Sequence, residues 1–452
     1  MLKRISVRGF KSIEDLTVEL KDLTVLFGPN AAGKSNFLDA IQILSRIATR
    51  QTLGEAFAPP YRGAPLESFS FPSEGIKGLL KGESASFSIE ADLRLSPEVV
   101  DSVNRRIREM KRSTPDAENP PPAGKGGSQR SNGEGSQSHR PESFIHELEL
   151  RYKVEVQILT RSGVLRVANE ELVPLKKSGE PKASRNPFLS LYDQNRFSLR
   201  MEGQAHPIYH DRYMDRAVIS LPLYPPHYPH MVAAREEMSR WVFYYLEPRE
   251  RMRAPCSVKE VHHIGTMGED LAAFLNTLRA QSPRQLEAIS KALHLIIPTA
   301  TEVTAEPNDL GEIDLSLVEN GTSFPARLLS EGTLRTLGVL SLSGAKNTPA
   351  LVAFEEPENG IHPKRIELIA ERLKTMASEG CQVIVTTHSP LLPDSIPDEN
   401  LLVCGRKKGR THIESLKVAG PLFRKRAVES ALEEEPPLVS ERILRGDFDG
   451  DD

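Results

Sequence analysis

The segment Gly28-Pro29-Asn30-Ala31-Ala32-Gly33-Lys34-Ser35 constrains this chain more than any other. It fits the pattern G-x-x-x-x-G-K-[ST], and its flanks fit the fold that the pattern needs. Leu23–Phe27 before it is an apolar run of strand length, and Asn36 to Leu44 after it places apolar residues at helical spacing. Strand, glycine loop and helix in that order set backbone N–H groups at a helix N-terminus, a cradle for phosphate. Lys34 adds a mobile positive charge and Ser35 a hydroxyl suited to magnesium. The expectation is a nucleoside-triphosphate site, with Asn30, Ala31, Ala32, Gly33, Lys34, Ser35 and Asn36 lining it and Mg2+ beside Ser35.

With 452 residues the chain has room for one large two-lobed domain or for two or three ordinary ones. A hydrophobic share of 38% and a charged share of 27% describe a polar globular chain. The formal net charge of -4 supplies no overall pull toward nucleic acid or an anionic membrane, so any such contact must come from a local basic patch. Cys256, Cys381 and Cys404 lie far apart, without C-x-x-C spacing. That spacing argues against a zinc site or a disulfide framework and for a reducing compartment. The first residues lack the apolar run of a signal peptide, and no stretch approaches about eighteen apolar residues. The expected location is therefore cytoplasmic, without membrane contact.

Leu2–Val7 and Leu16–Leu20 alternate as half-buried strands, and Ala85–Leu95 and Phe144–Leu159 form a second strand-rich region. Between them, Ser113–Ser143 is rich in Pro, Gly, Ser, Gln and charge and has little to bury, so it is expected to be a disordered insertion. From about Met214 to Leu295 the pattern turns mostly helical, with helices expected at Met231–Tyr245, Gly268–Arg279 and Gln285–Leu295. Glu312–Val318 reads as a strand, Thr333–Ser341 as a helix and Ala350–Phe354 as a buried strand. Pro363–Met376 reads as an amphipathic helix with Pro in its first turn. Gln382–Thr386 is another buried strand, and Leu401–Cys404 with Thr411–Ser415 suggests a terminal hairpin. Strands alternating with helices in the last third point to a mainly parallel sheet.

Three segments downstream of the loop carry further chemistry. Leu329-Ser330-Glu331-Gly332-Thr333 stands before a helix, where Ser330 on its own reads as an N-cap. Leu351-Val352-Ala353-Phe354-Glu355-Glu356-Pro357-Glu358 sets adjacent carboxylates at the end of an apolar strand. That is the carboxyl edge of the sheet, where open α/β folds bind ligands. One carboxylate there can hold magnesium while the next polarises an attacking water. In Val383 to Pro390, His388 stands just past the buried strand Gln382–Thr386 and on its own reads as a capped turn residue.

Taken in order, the four segments resemble the ATP-binding-cassette class of P-loop ATPases. Gly28–Ser35 corresponds to Walker A, Leu329–Thr333 to the signature, Leu351–Glu356 to Walker B and His388 to the switch histidine. Within that class the chain is similar to the SMC, RecF and OLD-like branch, whose bacterial members include stand-alone AAA-type ATPases. Ile5 to Ile13, Gly28 to Asn36, Ser330-Glu331-Gly332-Thr333 and Glu355 to Pro363 all fit that branch. The implied fold is α/β: a P-loop NTPase with an ABC-type head, comprising a mixed N-terminal β lobe, a parallel-sheet core and a helical lobe. The head would be one unit over 1–415, with Walker A in 1–50 and the other motifs in 320–415. The helical lobe would fall at 205–300, the insertion at 113–143 and a C-terminal extension at 416–452.

The resemblance also implies a mechanism shared by two heads of a homodimer, with two ATPs sandwiched between them. Lys34 and Ser35 would bind phosphates and Mg2+, Glu355 would face the metal, and Glu356 would orient or deprotonate the attacking water. His388 would contact the γ-phosphate, and Ser330 with Gly332 would reach the ATP of the partner head. Lys11 and Ser12 read either as nucleotide contacts or as ordinary edge-strand residues. Glu355 departs from the usual Asp by one methylene, and Gln157 and Gln194 are both open as the Q-loop residue. No long coiled coil separates Walker A from the signature, and no Toprim-type acidic cluster follows His388, so neither an SMC arm nor an OLD nuclease half is expected.

The leading expectation is an ATPase whose ATP-dependent dimerisation controls a nucleic-acid contact or a separate effector protein, as in DNA repair or anti-phage defence. The alternative is a nucleotide-dependent regulatory module with negligible hydrolysis. The SMC-like N-terminus and long middle segment disfavour a transporter cassette. Trp241 to Tyr245 followed by Arg249, Arg251 and Arg253 reads as core aromatics beside solvated or interface arginines, with nucleic-acid stacking as the other reading. His206, His210, His227 and His230 fit no metal template. Arg406-Lys407-Lys408-Gly409-Arg410 reads as an exposed hairpin tip, and Asp447 to Asp452 as an acidic tail.

Overall fold

The computed structural model describes residues 1–113, 143–342, 349–416 and 438–444. The chain opens with β1 (Leu2–Phe10), β2 (Ile13–Glu19), β3 (Leu23–Phe27), α1 (Lys34–Thr49), β4 (Ser84–Arg94) and α2 (Pro97–Ser113). The middle carries β5 (Glu149–Leu159), β6 (Leu165–Pro174), β7 (Leu189–Leu191), β8 (Arg196–Leu199), β9 (Ile208–Asp211) and α3 (Pro229–Ser239). Next come β10 (Trp241–Tyr244), β11 (Cys256–Ser257), α4 (Leu271–Gln281), α5 (Pro283–Ile296), β12 (Ala300–Pro307), β13 (Glu312–Glu319) and β14 (Thr322–Pro325). The last part supplies α6 (Glu331–Ser341), β15 (Leu351–Glu355), α7 (Ile366–Ser378), β16 (Gln382–Thr387), β17 (Leu401–Lys407) and β18 (Arg410–Ser415). The interior of the 113–143 insertion and most of 416–452 lie outside the described residues.

A six-stranded sheet in the order β10-β15-β16-β3-β17-β18 forms the centre. Its first five strands run parallel, and β18 returns antiparallel beside β17. The parallel strands read as unbroken apolar runs because both faces are covered. Leu23, Val25 and Phe27 of β3 enter one core together with Val352, Phe354, Val383 and Val385, beneath α4 to α7. Leu26, Ala353 and Ile384 point to the other face, into a core shared with α1, α3 and the larger sheet. That larger sheet is antiparallel, in the order β2-β1-β4-β5-β6-β7-β8-β9. Its β1 and β4 strands alternate buried and solvent-facing residues, as one-sided sheets do. A third sheet, β11-β13-β12 with β14 on β13, packs against α4 and α5.

The structure departs from the expected helix Met231–Tyr245: α3 stops at Ser239, and Trp241–Tyr244 is the edge strand β10. Trp241 pairs with Leu351 and Tyr244 with Phe354, so a partner strand far along the chain decides the conformation of this aromatic and β-branched run. Beside its helices the 205–300 stretch also carries β9, β10 and β11, and its helices divide between the two cores. The expected helices near 268–279 and 285–295 appear as α4 and α5, and the terminal hairpin appears as β17 and β18.

One polar group inside the larger lobe carries a pH signature. Glu170 is fully buried; its carboxylate accepts from Tyr152 Oη at 3.0 Å, from Val218 N at 2.6 Å and from Ile219 N at 3.0 Å. Burial nevertheless dominates and pushes the carboxyl up to about 7. A folded state that holds this proton more tightly than the unfolded chain gains stability that is full below about pH 4.5 and is lost as pH rises through about 7. Relative to a Glu170→Gln variant, the parent should therefore lose about 3 kcal/mol of unfolding free energy between pH 4.5 and 7.5. Urea unfolding of both proteins across that range measures this difference in slope, which a constant cost of the amide does not affect.

Candidate functional site

Parallel pairing brings the site together. Phe27, the last residue of β3, lies opposite Thr387 of β16 on one side and Val403 of β17 on the other, while Thr386 lies opposite Glu355 of β15. The glycine loop, the Glu355-Glu356 pair and His388 therefore leave the sheet at the same edge, where ligands of open α/β sheets bind. In the loop, Asn30 and Ala31 are exposed while Ala32 and Lys34 are buried. Gly33, at φ 106, precedes α1; a Cβ there would lie 1.9 Å from Thr411 Oγ1, so only glycine fits.

Lys34 arches back over the loop and donates to the carbonyls of Gly28 at 2.8 Å and Pro29 at 2.9 Å. Burial lowers its pKa, against the pull of Cys404 and of Glu356, Glu355 and Glu358. Ser35 Oγ donates to the carboxylate of Glu355, the residue that ends β15. One hydroxyl and one carboxylate in direct contact fit a hard cation that keeps water and takes its other ligands from phosphate, as Mg2+ does. Glu356 stands one residue further on at φ 50, its N–H donating to Thr386 O at 2.8 Å. Its carboxylate meets His388 Nδ1 at 2.7 Å. Behind this pair, Thr387 Oγ1 donates to Glu358, a buried carboxyl whose pKa burial raises.

Lys11 and Ser12 occupy the turn between β1 and β2. Lys11 Nζ lies 2.6 Å from Asp39 Oδ2 and 3.2 Å from Arg62 O. Ser12 Oγ accepts from Asn36 Nδ2 at 2.6 Å and lies 2.6 Å from Thr411 Oγ1. Both are thus tied to the start of α1. Ser330 and Gly332 make their contacts on α6 and on the turn after Glu356. Ser330 caps α6, its Oγ accepting from Thr333 N at 3.1 Å. Gly332 packs under the turn after Glu356, where an added Cβ would meet Gly360 O at 2.1 Å. Arg249 pairs with Glu331 at 2.6 Å and Arg253 donates to Leu329 O at 2.6 Å, so these arginines clasp the two sides of the Ser330 cap where α6 begins. Trp241, Phe243 and Tyr244 are buried, and Arg62 stands 6.0 Å from the ring of the half-buried Tyr245.

Sequence reasoning missed Asp39, Arg62 and Tyr245. Asp39 is fully buried on α1 and binds Lys11, Arg62 at 2.8 Å and Tyr245 Oη at 3.4 Å. Arg62 in turn lies 3.8 Å from Glu355. The available signal was one acid inside the apolar run of α1; nothing local pointed to Arg62. Gln157 bonds Ser84 and Arg166 on the larger sheet, and Gln194 lies in the β7–β8 connection, so neither approaches this edge. His230 is buried and satisfied by Glu202 at 2.7 Å and by the N–H groups of His146 and Glu147. No helix among the described residues is long and apolar enough to cross a membrane.

Two family models match this chain. One, "AAA ATPase domain", covers residues 1–99, and the other, "AAA domain, putative AbiEii toxin, Type IV TA system", covers residues 170–394. The chromosome partition protein Smc of Bacillus subtilis is 36% identical over 112 residues, which are 24% of this chain and 9% of that protein. The Nod factor export ATP-binding protein I of Ralstonia nicotianae is 30% identical over 119 residues, 26% of this chain and 36% of that protein. The OLD nuclease of Thermus scotoductus is 46% identical over 44 residues, 10% of this chain and 8% of that protein. These matched stretches thus span well under two thirds of each relative. An Smc head bound to the C-winged helix domain of ScpA aligns with a TM-score of 0.45 at 13% identity, over 92% of this chain and 98% of that one.

The close approach of α6 to the turn after Glu356 yields a test. Gly332→Ala would push a methyl group into the Gly360 carbonyl, and overpacking of this kind costs about 1–3 kcal/mol. A lowered urea midpoint at unchanged m-value is the expected result.

Proposed function

Since this chain carries AAA-family ATPase domains and is related in sequence to Smc and to ABC-type ATP-binding proteins, we propose that it binds and hydrolyses ATP at the Gly28–Ser35 edge and couples that cycle to pairing of two copies. The observation that carries this reading is the adjacency of two carboxylates with different company. Glu355 bonds Ser35 of the phosphate loop, while Glu356 bonds His388. One is set for the metal side of a triphosphate and the other for the water side.

In this reading the loop amides and Lys34 would hold the β- and γ-phosphates, and Ser35 with Glu355 would hold Mg2+, which when bound would neutralise charge on the phosphates. Glu356 accepts the proton of the attacking water as its oxygen bonds to the γ-phosphorus and the bond to the β-γ bridging oxygen breaks. His388 fixes that carboxylate and would contact the γ-phosphate. Asp39 orients Lys11 and Arg62 behind the metal side. Ser330 and Gly332, at the positive N-terminal end of α6, would complete the ATP site of the partner copy. Ser330 bonds Thr333 and Gly332 packs on Gly360, and among the described residues no hydrogen bond joins either to the Gly28–Ser35 loop of the same chain, an arrangement that a site shared between copies would use. The cycle would then switch a contact with nucleic acid or with a separate effector such as a nuclease or toxin, in the cytoplasm.

One observation favours a second reading. Glu355 is longer than the usual Asp and already shares its oxygen with Ser35 and Arg62, which favours binding over rapid turnover. The protein would then act as a nucleotide-dependent regulator.

Two variants test the proposal. Lys34→Ala should weaken binding of a fluorescent ATP analogue by at least about tenfold, the loss of one strong charge contact to phosphate. Unchanged affinity would remove the phosphate-loop assignment. Glu356→Gln should keep ATP affinity and lower kcat by about 10²–10⁴-fold, the usual worth of a general base. Light scattering should then show a mass increase with ATP and Mg2+ that Ser330→Arg abolishes in the same background. Turnover by Glu356→Gln at the parental rate, or a mass indifferent to ATP, would overturn the shared-site mechanism.

A further inference from the structure

The phosphate loop is held from outside by the last hairpin of the head. Four polar groups from three distant parts of the chain join in one directed chain. Asn36 Nδ2 donates to Ser12 Oγ at 2.6 Å, Ser12 Oγ lies 2.6 Å from Thr411 Oγ1, and Thr411 Oγ1 donates to the carbonyl of Ala32 at 3.0 Å. Thr411 has a single hydroxyl proton, and the Ala32 carbonyl takes it, so Ser12 donates to Thr411. Thr411 is itself buried at the start of β18, and its N–H donates to Ser12 O at 2.9 Å.

We propose that Thr411 is a positioning residue of the nucleotide site, which sets the peptide plane between Ala32 and Gly33 so that the Gly33 N–H faces the phosphates. A trans peptide directs the C=O of one residue and the N–H of the next to opposite sides. The Ala32 carbonyl is drawn outward to Thr411, and the Gly33 N–H therefore points inward, to the concave side of the loop. The same hydroxyl fixes the neighbouring backbone sterically, since Gly33 at φ 106 leaves no room for a Cβ beside it. An amide held in place before the ligand arrives costs no reorganisation when an oxyanion binds. Cys404 Sγ, 3.6 Å from the same carbonyl, is a weak donor and cannot replace the hydroxyl.

The inference rests on the phosphate-loop reading above, and two readouts separate the fates of the two. Thr411→Val keeps the shape and removes the hydroxyl, while Thr411→Ser keeps the hydroxyl. In nucleotide-free protein, amide exchange over residues 28–36 should accelerate by about tenfold in Thr411→Val, the loss of one buried hydrogen bond, and stay near parental in Thr411→Ser. ATP affinity should fall about tenfold in Thr411→Val, with the change in KM rather than kcat, and return to within about twofold in Thr411→Ser. A purely structural role would lower the melting temperature of both variants without this serine rescue. Parental exchange and affinity in Thr411→Val, or equal defects in both variants, would overturn the proposal. If the parent binds no ATP, the phosphate-loop reading falls, and the exchange rates alone still decide the role of Thr411.

Discussion

Strand β16 sits between β3 and β15, and its hydrogen-bonded registers determine where every group at the carboxyl edge emerges. Phe27 against Thr387 and Glu355 against Thr386 bring the phosphate loop within one strand of the acidic pair, with His388 leaving from the strand between them. The hydrogen bonds from Ser35 to Glu355 and from His388 to Glu356 are consequences of that alignment. Since each strand is apolar on both faces, the pairing is secured by two separate cores, and the polar groups at the edge carry little of the folding energy.

Around this edge Asp39 and Glu355 both have a cation near them. Asp39, inside the protein, is compensated by Lys11 and Arg62, and Tyr245 adds a hydrogen bond. Arg62 also faces Glu355, which makes it a bridge between a buried carboxylate and one that is only partly covered. A buried charge that lost its partner would cost several kcal/mol, roughly 3–5 by general experience, so Asp39 ties the β1–β2 turn and the loop carrying Arg62 to α1. This network surrounds the start of α1, which holds Lys34 and Ser35.

The parts legible in the sequence were those whose causes are local. A strand, a glycine loop and a helix follow one another within Leu23–Thr49, and the apolar runs before Glu355 and His388 announce buried strands. Ser330 was legible as a cap because capping depends on residues three apart. Trp241–Tyr244 was not, because a short aromatic run satisfies either period and only Leu351–Phe354 resolves it. Arg62 and Thr411 were illegible for the same reason in stronger form. Their partners lie on Asp39, Glu355, Ser12 and Ala32, and no spacing along the chain encodes those encounters.

The division of β3 between the two cores has a mechanical consequence. Val25 and Phe27 report to one side and Leu26 to the other, so sliding the strand by a single residue would exchange their environments and expel well-packed side chains on both faces at once. The anchor of the phosphate loop is thereby locked against translation along its own axis. Any adjustment of the loop to what it holds must come from rotation of individual peptide units beyond Phe27, like pages turning on a fixed spine.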